Sequence, residues 1–401
     1  MRCSLAEVRY RVLAIASHPV QYMSPVLRRL AQHPLVDLTV AYCTLRGAKP
    51  GRDPEFEITV QWDVPLLDGY TWVEIPNRGS GSDSFFGLYN PGLWKLIRNG
   101  RFDAVLIYTG YMRSSFWISY AASKLSHAAF LFGTDATTLF PMVGAKWKKH
   151  IKRVLWPALF RLADQVIVPS SGTKSLIRSL GISDDRITLT PYSVDNDWWL
   201  ARSEQSDRPA LRSSWGISPE TVVILFCAKL QPWKRPQDLL QAFAQARLQN
   251  TFLVIAGEGP LRKDIENLAN TLGLADRVRF LGFVNQTQLP ALYTSSDLLV
   301  LPSSYEAFGV VVNEASLCAC PVVVSDRVGA AEDLILPVDP ELVYPCGNVD
   351  ALAALLTKLC GDRERLAQLG RSFRNRLTSW SSQDSVAGTV EAISIAVRRH
   401  R

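Results

Sequence analysis

The sequence lacks the marks of a disulfide-stabilised secreted protein and of a membrane-spanning one. Its seven cysteines are scattered, odd in number and without paired spacing, which predicts reduced thiols in a cytoplasmic protein. The longest uncharged apolar stretches fall short of the roughly 20 residues that a membrane-spanning helix needs. The apolar run at 12–16 is closed by His18 and Pro19, so it is too short to predict a signal peptide.

Charge of neither sign dominates. The chain has 44 basic and 37 acidic residues, a net charge of +7. This excess suits nucleotides, phosphorylated lipids or an acidic membrane surface, and it is equally compatible with an ordinary soluble protein. The cations are spread along the chain, so nucleic-acid binding is not expected. The 47% of hydrophobic residues predicts large buried cores and excludes a mainly disordered chain.

Apolar strand-like runs alternate with helical stretches in both halves of the chain, the pattern of parallel sheets covered by helices. A polar segment at 203–209 interrupts the alternation and predicts a linker. We therefore predict an α/β protein with one domain at 1–202 and a second at 210–381. Two Rossmann-like, doubly wound domains of this kind, facing each other, would form a central cleft at the carboxyl ends of their strands.

The segment 297–315 carries the strongest chemical signal. An apolar strand runs into a loop that contains Glu306, and a helix begins near Gly309 with Glu314 about one turn inside it. A helix N-terminus favours a phosphate or a polar sugar edge, and carboxylates accept hydrogen bonds from sugar hydroxyl groups. The alternative is that both acids are ordinary surface residues.

A basic segment begins at the carboxyl end of the strand predicted at 221–229 and continues into the loop that follows. It contains Lys229, Lys234 and Arg235. Cations at the carboxyl end of a strand are placed to neutralise a diphosphate without a metal ion. A solvated basic loop is the alternative.

Taken in order and spacing, these clusters resemble the retaining glycosyltransferases of family 4, which have the two-domain glycosyltransferase-B fold. The segments 190–195, 254–262, 278–284 and 321–325 also match, so the resemblance covers nearly the whole chain. It implies transfer of a sugar from a nucleotide-diphospho-sugar to an acceptor hydroxyl, with retention of configuration and without metal or cofactor. Synthesis of a cell-surface polysaccharide or glycoconjugate is the implied setting. The resemblance also implies that a final helix at 382–401 packs back on the first domain.

The resemblance assigns roles to individual residues. Lys229 and Lys234 bind the donor diphosphate, Glu306 faces the transferred sugar, and Glu314 holds the ribose hydroxyls. The remaining donor contacts are backbone amides near the sugar or phosphate and a loop near the base, at Phe308, Gly309, Val310, Phe283 and Val284.

The first loop departs from the family pattern. Many members have a glycine-rich loop where this chain has 17–22, which contains no glycine. Some bacterial surface-polysaccharide transferases have a similar sequence at this place, and this similarity implies that His18, Gln21 and Tyr22 line the cleft. The acceptor-side histidine of the family is not evident, and Asp135, which lies in its neighbourhood, is the residue expected to stand in for it on the acceptor side of the cleft.

The stretch 146–156 is basic and aromatic. As a helix it would contact an anionic membrane surface, which suits a lipid-linked acceptor and a peripheral location on the inner face of the membrane. The alternative is a solvated helix face whose tryptophans pack inward.

Two other functions stay open at this stage. One is a sugar-nucleotide epimerase on the same fold, which would need no acceptor. The other is a non-catalytic subunit that binds a sugar nucleotide, an option that the altered first loop keeps open. The tripeptide Asp-Asn-Asp at 195–197 has the spacing of a metal-binding motif but falls outside the donor-side strands, so no metal site is expected.

Overall fold

The computed structural model of the chain describes residues 9–53, 55–139 and 147–400. It divides into two compact units. Unit 1 comprises Met1–Lys49, Pro65–Tyr192 and Ser382–Arg401, and unit 2 comprises Pro50–Val64 and Ser193–Ser381.

Unit 1 is built on a parallel sheet. Its strands in the described residues are β1 (Tyr10–Ala16), β2 (Val36–Tyr42), β5 (Thr71–Glu74), β6 (Ala104–Ile107), β7 (Ala129–Gly133), β8 (Gln165–Val168) and β9 (Ile187–Leu189). They lie in the order β5-β2-β1-β6-β7-β8-β9. Its helices are α1 (Met23–Ala31), α2 (Gly92–Gly100), α3 (Ser114–Leu125), α4 (Lys148–Arg161), α5 (Ser171–Ser179) and α14 (Ser382–His400).

Helices cover both faces of this sheet because the strand side chains alternate between them. Val12 and Ala14 of β1 join a core with residues of α1 and α14. Leu13 and Ile15 point the other way and join a core with residues of α2, α3, α4 and α5. The last helix of the chain is therefore part of unit 1.

Unit 2 has a second parallel sheet and a small antiparallel hairpin. The strands of its described residues are β3 (Gly51–Arg52), β4 (Thr59–Val60), β10 (Val222–Cys227), β11 (Thr251–Ala256), β12 (Val278–Gly282), β13 (Leu298–Leu301), β14 (Val322–Ser325) and β15 (Val343–Tyr344). The sheet order is β12-β11-β10-β13-β14-β15, and β3 pairs with β4. The helices are α6 (Asn196–Glu204), α7 (Arg208–Ser214), α8 (Pro236–Gln245), α9 (Arg262–Thr271), α10 (Leu289–Thr294), α11 (Val311–Leu317), α12 (Val349–Cys360) and α13 (Arg363–Arg376).

Both sheets reverse their winding direction next to their first strand. β1 lies between β2 and β6, and β10 lies between β11 and β13. In open α/β sheets ligands bind at the carboxyl ends of the strands at such a reversal. The predicted α/β class with parallel sheets is confirmed, and each sheet has one place where a ligand site is expected.

The predicted linker at 203–209 is wrong. This segment lies inside unit 2, where Asp207 caps the N-terminus of α7 by accepting a hydrogen bond from the amide of Ala210 at 2.9 Å. The polar residues and Pro209 mark a turn between two helices rather than a passage between units. The chain passes from unit 1 to unit 2 after Tyr192, ten residues before the predicted end of the first domain at 202.

A second difference is the segment Pro50–Val64, which comes from the first part of the chain but belongs to unit 2. Nothing in the local sequence pattern predicted this excursion. Among the helices of the described residues, none is both long and apolar enough to cross a membrane.

Candidate functional site

The loops after β10 and β13 meet in unit 2 through a lysine and a glutamate. Lys234 lies in a short 3₁₀ turn after β10, Glu306 lies in the loop after β13, and the two side chains form an ion pair. Both are largely buried, at 16% and 17% exposure. A backbone hydrogen bond of 2.7 Å from Ser304 N to Trp233 O joins the same two loops. The structure thus brings together two of the residues predicted from separate motifs.

A neighbouring loop holds the Glu306 loop from the other side. The amide of Glu306 donates to the carbonyl of Arg327 at 3.2 Å, and the amide of Gly329 donates back to the carbonyl of Glu306 at 3.0 Å. A Cβ atom at Gly329 would lie 2.1 Å from the carbonyl oxygen of Ala307, so only glycine allows this approach. The position of Glu306 therefore depends on backbone contacts.

The residues that follow Glu306 lead into α11. The Phe308 ring is buried and stacks on Trp380, with centroids 6.0 Å apart. Gly309 has a φ angle of +99°, in the region that favours glycine, and Val310 is the N-cap of α11. A Cβ atom at Gly309 would also lie 3.2 Å from Cγ of Glu306. Gly309 thus allows the turn to close against the glutamate side chain.

Glu314 lies inside α11 and is buried, at 5% exposure. Burial raises the pKa of its carboxyl from 4.5 to about 7, although hydrogen bonds from Tyr293 and Gln286 lower it in part. The Tyr293 hydroxyl donates to Glu314 at 2.8 Å. Tyr293 lies in α10, and the sequence carried no signal that would have placed it here. A buried carboxylate of this kind can accept hydrogen bonds from ligand hydroxyls.

Lys229 lies in the loop after β10 and forms ion pairs with Glu55 and, at 3.5 Å, with Asp53. The loop after β11 packs against the loop that carries Lys229. The amide of Leu230 donates to the carbonyl of Glu258 at 2.8 Å. A Cβ atom at Gly257 would lie 1.9 Å from the carbonyl oxygen of Ala228. This glycine therefore allows two strand-end loops to pack backbone to backbone.

The predicted base-side loop follows β12. Phe283 is half-buried and contacts two aromatic rings of the Pro50–Val64 segment, Phe56 at 5.1 Å and Trp62 at 5.8 Å between centroids. Val284 is half-buried beside it. All of the predicted donor residues lie in loops at the carboxyl edge of one sheet, or at the start of α11.

In unit 1 the predicted acceptor residues lie after β1 and after β7. Tyr22 packs edge-on against Tyr192 with centroids 5.5 Å apart, and the Tyr192 hydroxyl donates to Asp135 at 3.3 Å. Tyr192, which sequence reasoning missed, therefore joins two of the predicted residues. Nδ1 of His18 lies 2.9 Å from Oγ of Ser17. Within the described residues, the buried Oε1 of Gln21 accepts no hydrogen bond.

The Asp-Asn-Asp tripeptide at 195–197 has a local structural role. Asp195 caps α6 by accepting a hydrogen bond from the amide of Trp198 at 3.4 Å. In the described part of the chain, no three His, Cys, Asp or Glu side chains gather closely enough to hold a metal ion. Metal independence itself stays a prediction.

Known protein families match both halves of the chain. A model described as glycosyl transferases group 1 matches residues 207–376, and one described as glycosyltransferase family 4 matches residues 25–198. An uncharacterized glycosyltransferase of Methanocaldococcus jannaschii is 33% identical over 240 residues, which are 58% of this chain and 60% of that protein. D-inositol 3-phosphate glycosyltransferase 2 of Catenulispora acidiphila is 26% identical over 329 residues, 77% of this chain and 73% of that protein. The match to the first of these relatives thus spans less than two thirds of its length.

The fold is shared with solved structures. HepE of Anabaena, crystallised in complex with UDP and glucose, has a TM-score of 0.73 at 18% identity, covering 96% of this chain and all of the other. WaaG, a glycosyltransferase involved in lipopolysaccharide biosynthesis, has a TM-score of 0.67 at 16% identity, covering 96% of this chain and 99% of the other. The predicted glycosyltransferase-B fold is confirmed.

Glu314→Gln should change how stability depends on pH. Below pH 4.5 the carboxyl is protonated in both states. Between pH 4.5 and about 7 the folded chain keeps a proton that the unfolded chain releases, so the free energy of unfolding falls as pH rises. Above pH 7 this cost, about 3 kcal/mol, is fully present. Gln keeps the shape without the charge, so the variant should be more stable at pH 8 and equal to the wild type below pH 4.5.

Urea unfolding from pH 4 to 8 measures this difference. The matched control is Glu204→Gln at an exposed position of unit 2, which should follow the wild-type profile. If the free energies of unfolding of Glu314→Gln and the wild type differed by the same amount at every pH, the pKa of the Glu314 carboxyl would not be raised in the folded protein.

Proposed function

Because the chain belongs to the group 1 glycosyltransferases of family 4, we propose that it transfers a sugar from a nucleoside-diphosphate sugar to an acceptor hydroxyl with retention of configuration and without a metal ion. One observation carries the donor assignment. Lys229, Lys234, Glu306 and Glu314 all lie around the strand ends where the sheet of unit 2 reverses. Two cations there suit a diphosphate, and two carboxylates suit hydroxyl groups.

The proposed chemistry is a displacement at the anomeric carbon of the donor. The bond from this carbon to the β-phosphate oxygen breaks, and the acceptor oxygen bonds to the same face of the sugar. The acceptor proton passes to the departing phosphate oxygen. Lys229 and Lys234 stabilise the charge that develops on the diphosphate. No protein nucleophile is needed on this route.

The two glutamates have different surroundings, which supports different roles. Glu314 is buried beside Tyr293 inside α11, where it would bind the ribose hydroxyls. Glu306 lies in the loop and is paired with Lys234, so it would face the transferred sugar next to the diphosphate cation. UDP in the Anabaena neighbour makes UDP the first nucleotide to try.

The acceptor would bind in unit 1. His18, Gln21 and Tyr22 follow the strand at which that sheet reverses, and Asp135 is joined to Tyr22 through Tyr192. The buried and unsatisfied oxygen of Gln21 suits a hydroxyl donor. The epimerase and the non-catalytic binding subunit are not favoured, because the matching families and relatives are transferases.

A lipid-linked acceptor is supported by the surface of α4. Trp147, Ile151, Val154 and Leu155 are all exposed, and their spacing places them on one side of the helix. Trp156 packs inward and its indole donates to the Tyr111 hydroxyl at 2.9 Å. The predicted stretch 146–156 therefore has one tryptophan on each side. Lys146 lies outside the described residues, as does the side chain of Lys148.

We propose that this apolar stripe, with the basic residues of α4 around it, contacts an anionic membrane at the inner face of the cell envelope. Apolar side chains would enter the interface while lysines and arginines meet lipid phosphates. The protein would then act peripherally in surface polysaccharide or glycoconjugate synthesis.

Lys234→Ala should weaken UDP binding about 10- to 100-fold, because it removes a charged hydrogen-bond donor from the diphosphate. Isothermal titration calorimetry measures the Kd. Lys263→Ala, which removes an exposed lysine of α9 in the same unit, should bind UDP as the wild type does. Wild-type affinity in Lys234→Ala would contradict the diphosphate assignment.

Glu306→Ala should lower kcat about 100-fold while changing the Kd for UDP less than about threefold. UDP has no sugar to contact Glu306, and loss of the carboxylate frees Lys234 for the diphosphate. Turnover is measured as the release of UDP. The substrate is the sugar nucleotide that the wild type consumes fastest among a panel of them. Glu204→Ala is the exposed control. Loss of UDP binding in Glu306→Ala would reverse the roles of the two glutamates.

A variant with Val154→Glu and Leu155→Glu should bind phosphatidylglycerol vesicles at least about tenfold more weakly, since two exposed apolar side chains become charged. Vesicle co-sedimentation measures binding. Leu125→Glu, at an exposed position at the end of α3, is the control and should bind like the wild type. Equal binding by all three proteins would exclude the α4 stripe as the contact.

A further inference from the structure

The hairpin of β3 and β4 touches the candidate donor site at two separate loops. The segment Pro50–Val64 that contains it belongs to unit 2. Gly51 and Arg52 pair antiparallel with Thr59 and Val60. The tip between these strands meets the loop after β10, and the residues that follow β4 meet the loop after β12.

At the first loop the hairpin surrounds Lys229. Glu55 and Asp53 both pair with its ammonium group, and the centroid of the Phe56 ring lies 4.7 Å from Nζ. The Gln231 side chain donates to the carbonyl of Glu55. Burial alone would raise the pKa of Asp53, but backbone amides and the charge of Lys229 lower it overall. Lys229 therefore has anionic partners before any ligand arrives.

At the second loop the hairpin covers Phe283. Phe56 and Trp62 both contact its ring. The amide of Thr287 donates to Asp63 at 3.1 Å, and Nδ2 of Asn285 donates to the carbonyl of Gln61 at 2.8 Å. Polar contacts thus anchor this end of the segment, so its position does not depend on the Lys229 pair alone.

We propose that Glu55 is a built-in competitor of the donor: its carboxylate occupies Lys229 in the ligand-free protein, and the donor diphosphate must displace it to reach that cation. The inference rests on the proposed donor role of Lys229. A diphosphate and a carboxylate on one ammonium group repel each other, so the pair cannot persist unchanged when the donor binds. This exchange selects a strongly polyanionic ligand, because an uncharged sugar carries no anionic group that could replace the carboxylate on Lys229.

Asp53 is less suited to this exchange. Its Oδ1 also accepts hydrogen bonds from the amides of Glu55 and Phe56, at 2.9 and 3.0 Å, which hold the turn. The Glu55 side chain is half-exposed and, among the described residues, accepts no hydrogen bond from a backbone amide. It can therefore rotate into solvent at little cost in free energy. Glu55 is therefore the residue to change.

Glu55→Gln should lower the Kd for UDP about two- to fivefold, the size expected when a half-exposed competing ion pair is removed. Calorimetric titration at fixed ionic strength gives the Kd. Glu57→Gln is the matched control, because it makes the same charge change in the same hairpin and Glu57 has no ion pair among the described residues. It should bind UDP as the wild type does.

A double-mutant cycle shows whether the gain passes through Lys229. In a Lys229→Ala background, Glu55→Gln should give no further change. An equal gain in that background, an equal gain from Glu57→Gln, or unchanged or weaker UDP binding by Glu55→Gln would each overturn the competitor role while leaving the donor site intact. If the wild type and every variant bind none of UDP, GDP and ADP, the proposed function itself fails.

Discussion

The parallel pairing of β10 with β13 is the constraint on which the candidate site depends. Ile224 lies opposite Leu298, and Leu225 lies opposite Leu299. Both strands are fully buried, so their register is set by the core on each face of the sheet. Because both strands run in the same direction, their carboxyl ends lie at one edge of the sheet, and Lys234 after β10 comes to lie beside Glu306 after β13.

Backbone contacts between neighbouring loops then help to hold these loops in place. Gly257 lets the loop after β11 approach the Lys229 loop, and Gly329 lets its own loop approach the Glu306 loop. In each case a Cβ atom would overlap a carbonyl oxygen. These two glycines therefore allow the loops that carry the charged side chains to approach one another.

The cations of the site are balanced within the chain. Lys234 pairs with Glu306, and Lys229 pairs with Glu55 and Asp53. A partly buried ammonium group without a partner costs free energy, so these pairs stabilise the folded unit before a ligand binds. In the proposed donor site, a diphosphate would exchange partners with these lysines. The net gain on binding would then be smaller than the charges alone would suggest, and selectivity for a polyanion would be greater.

The sequence by itself determined the alternation of strands and helices, the order of the basic and acidic motifs, and the family. These features are local, because an alternation of buried and exposed residues, the start of a helix and a motif at the end of a strand each involve residues that are close together in the chain. Only the tertiary structure placed Tyr293 on Glu314, Tyr192 between Tyr22 and Asp135, and Glu55 on Lys229. Glu55 and Lys229 are far apart in the chain, and no local pattern in either segment refers to the other. The polar segment at 203–209 was misread for the same reason: composition shows that a turn is exposed to water, but long-range packing decides which unit it belongs to.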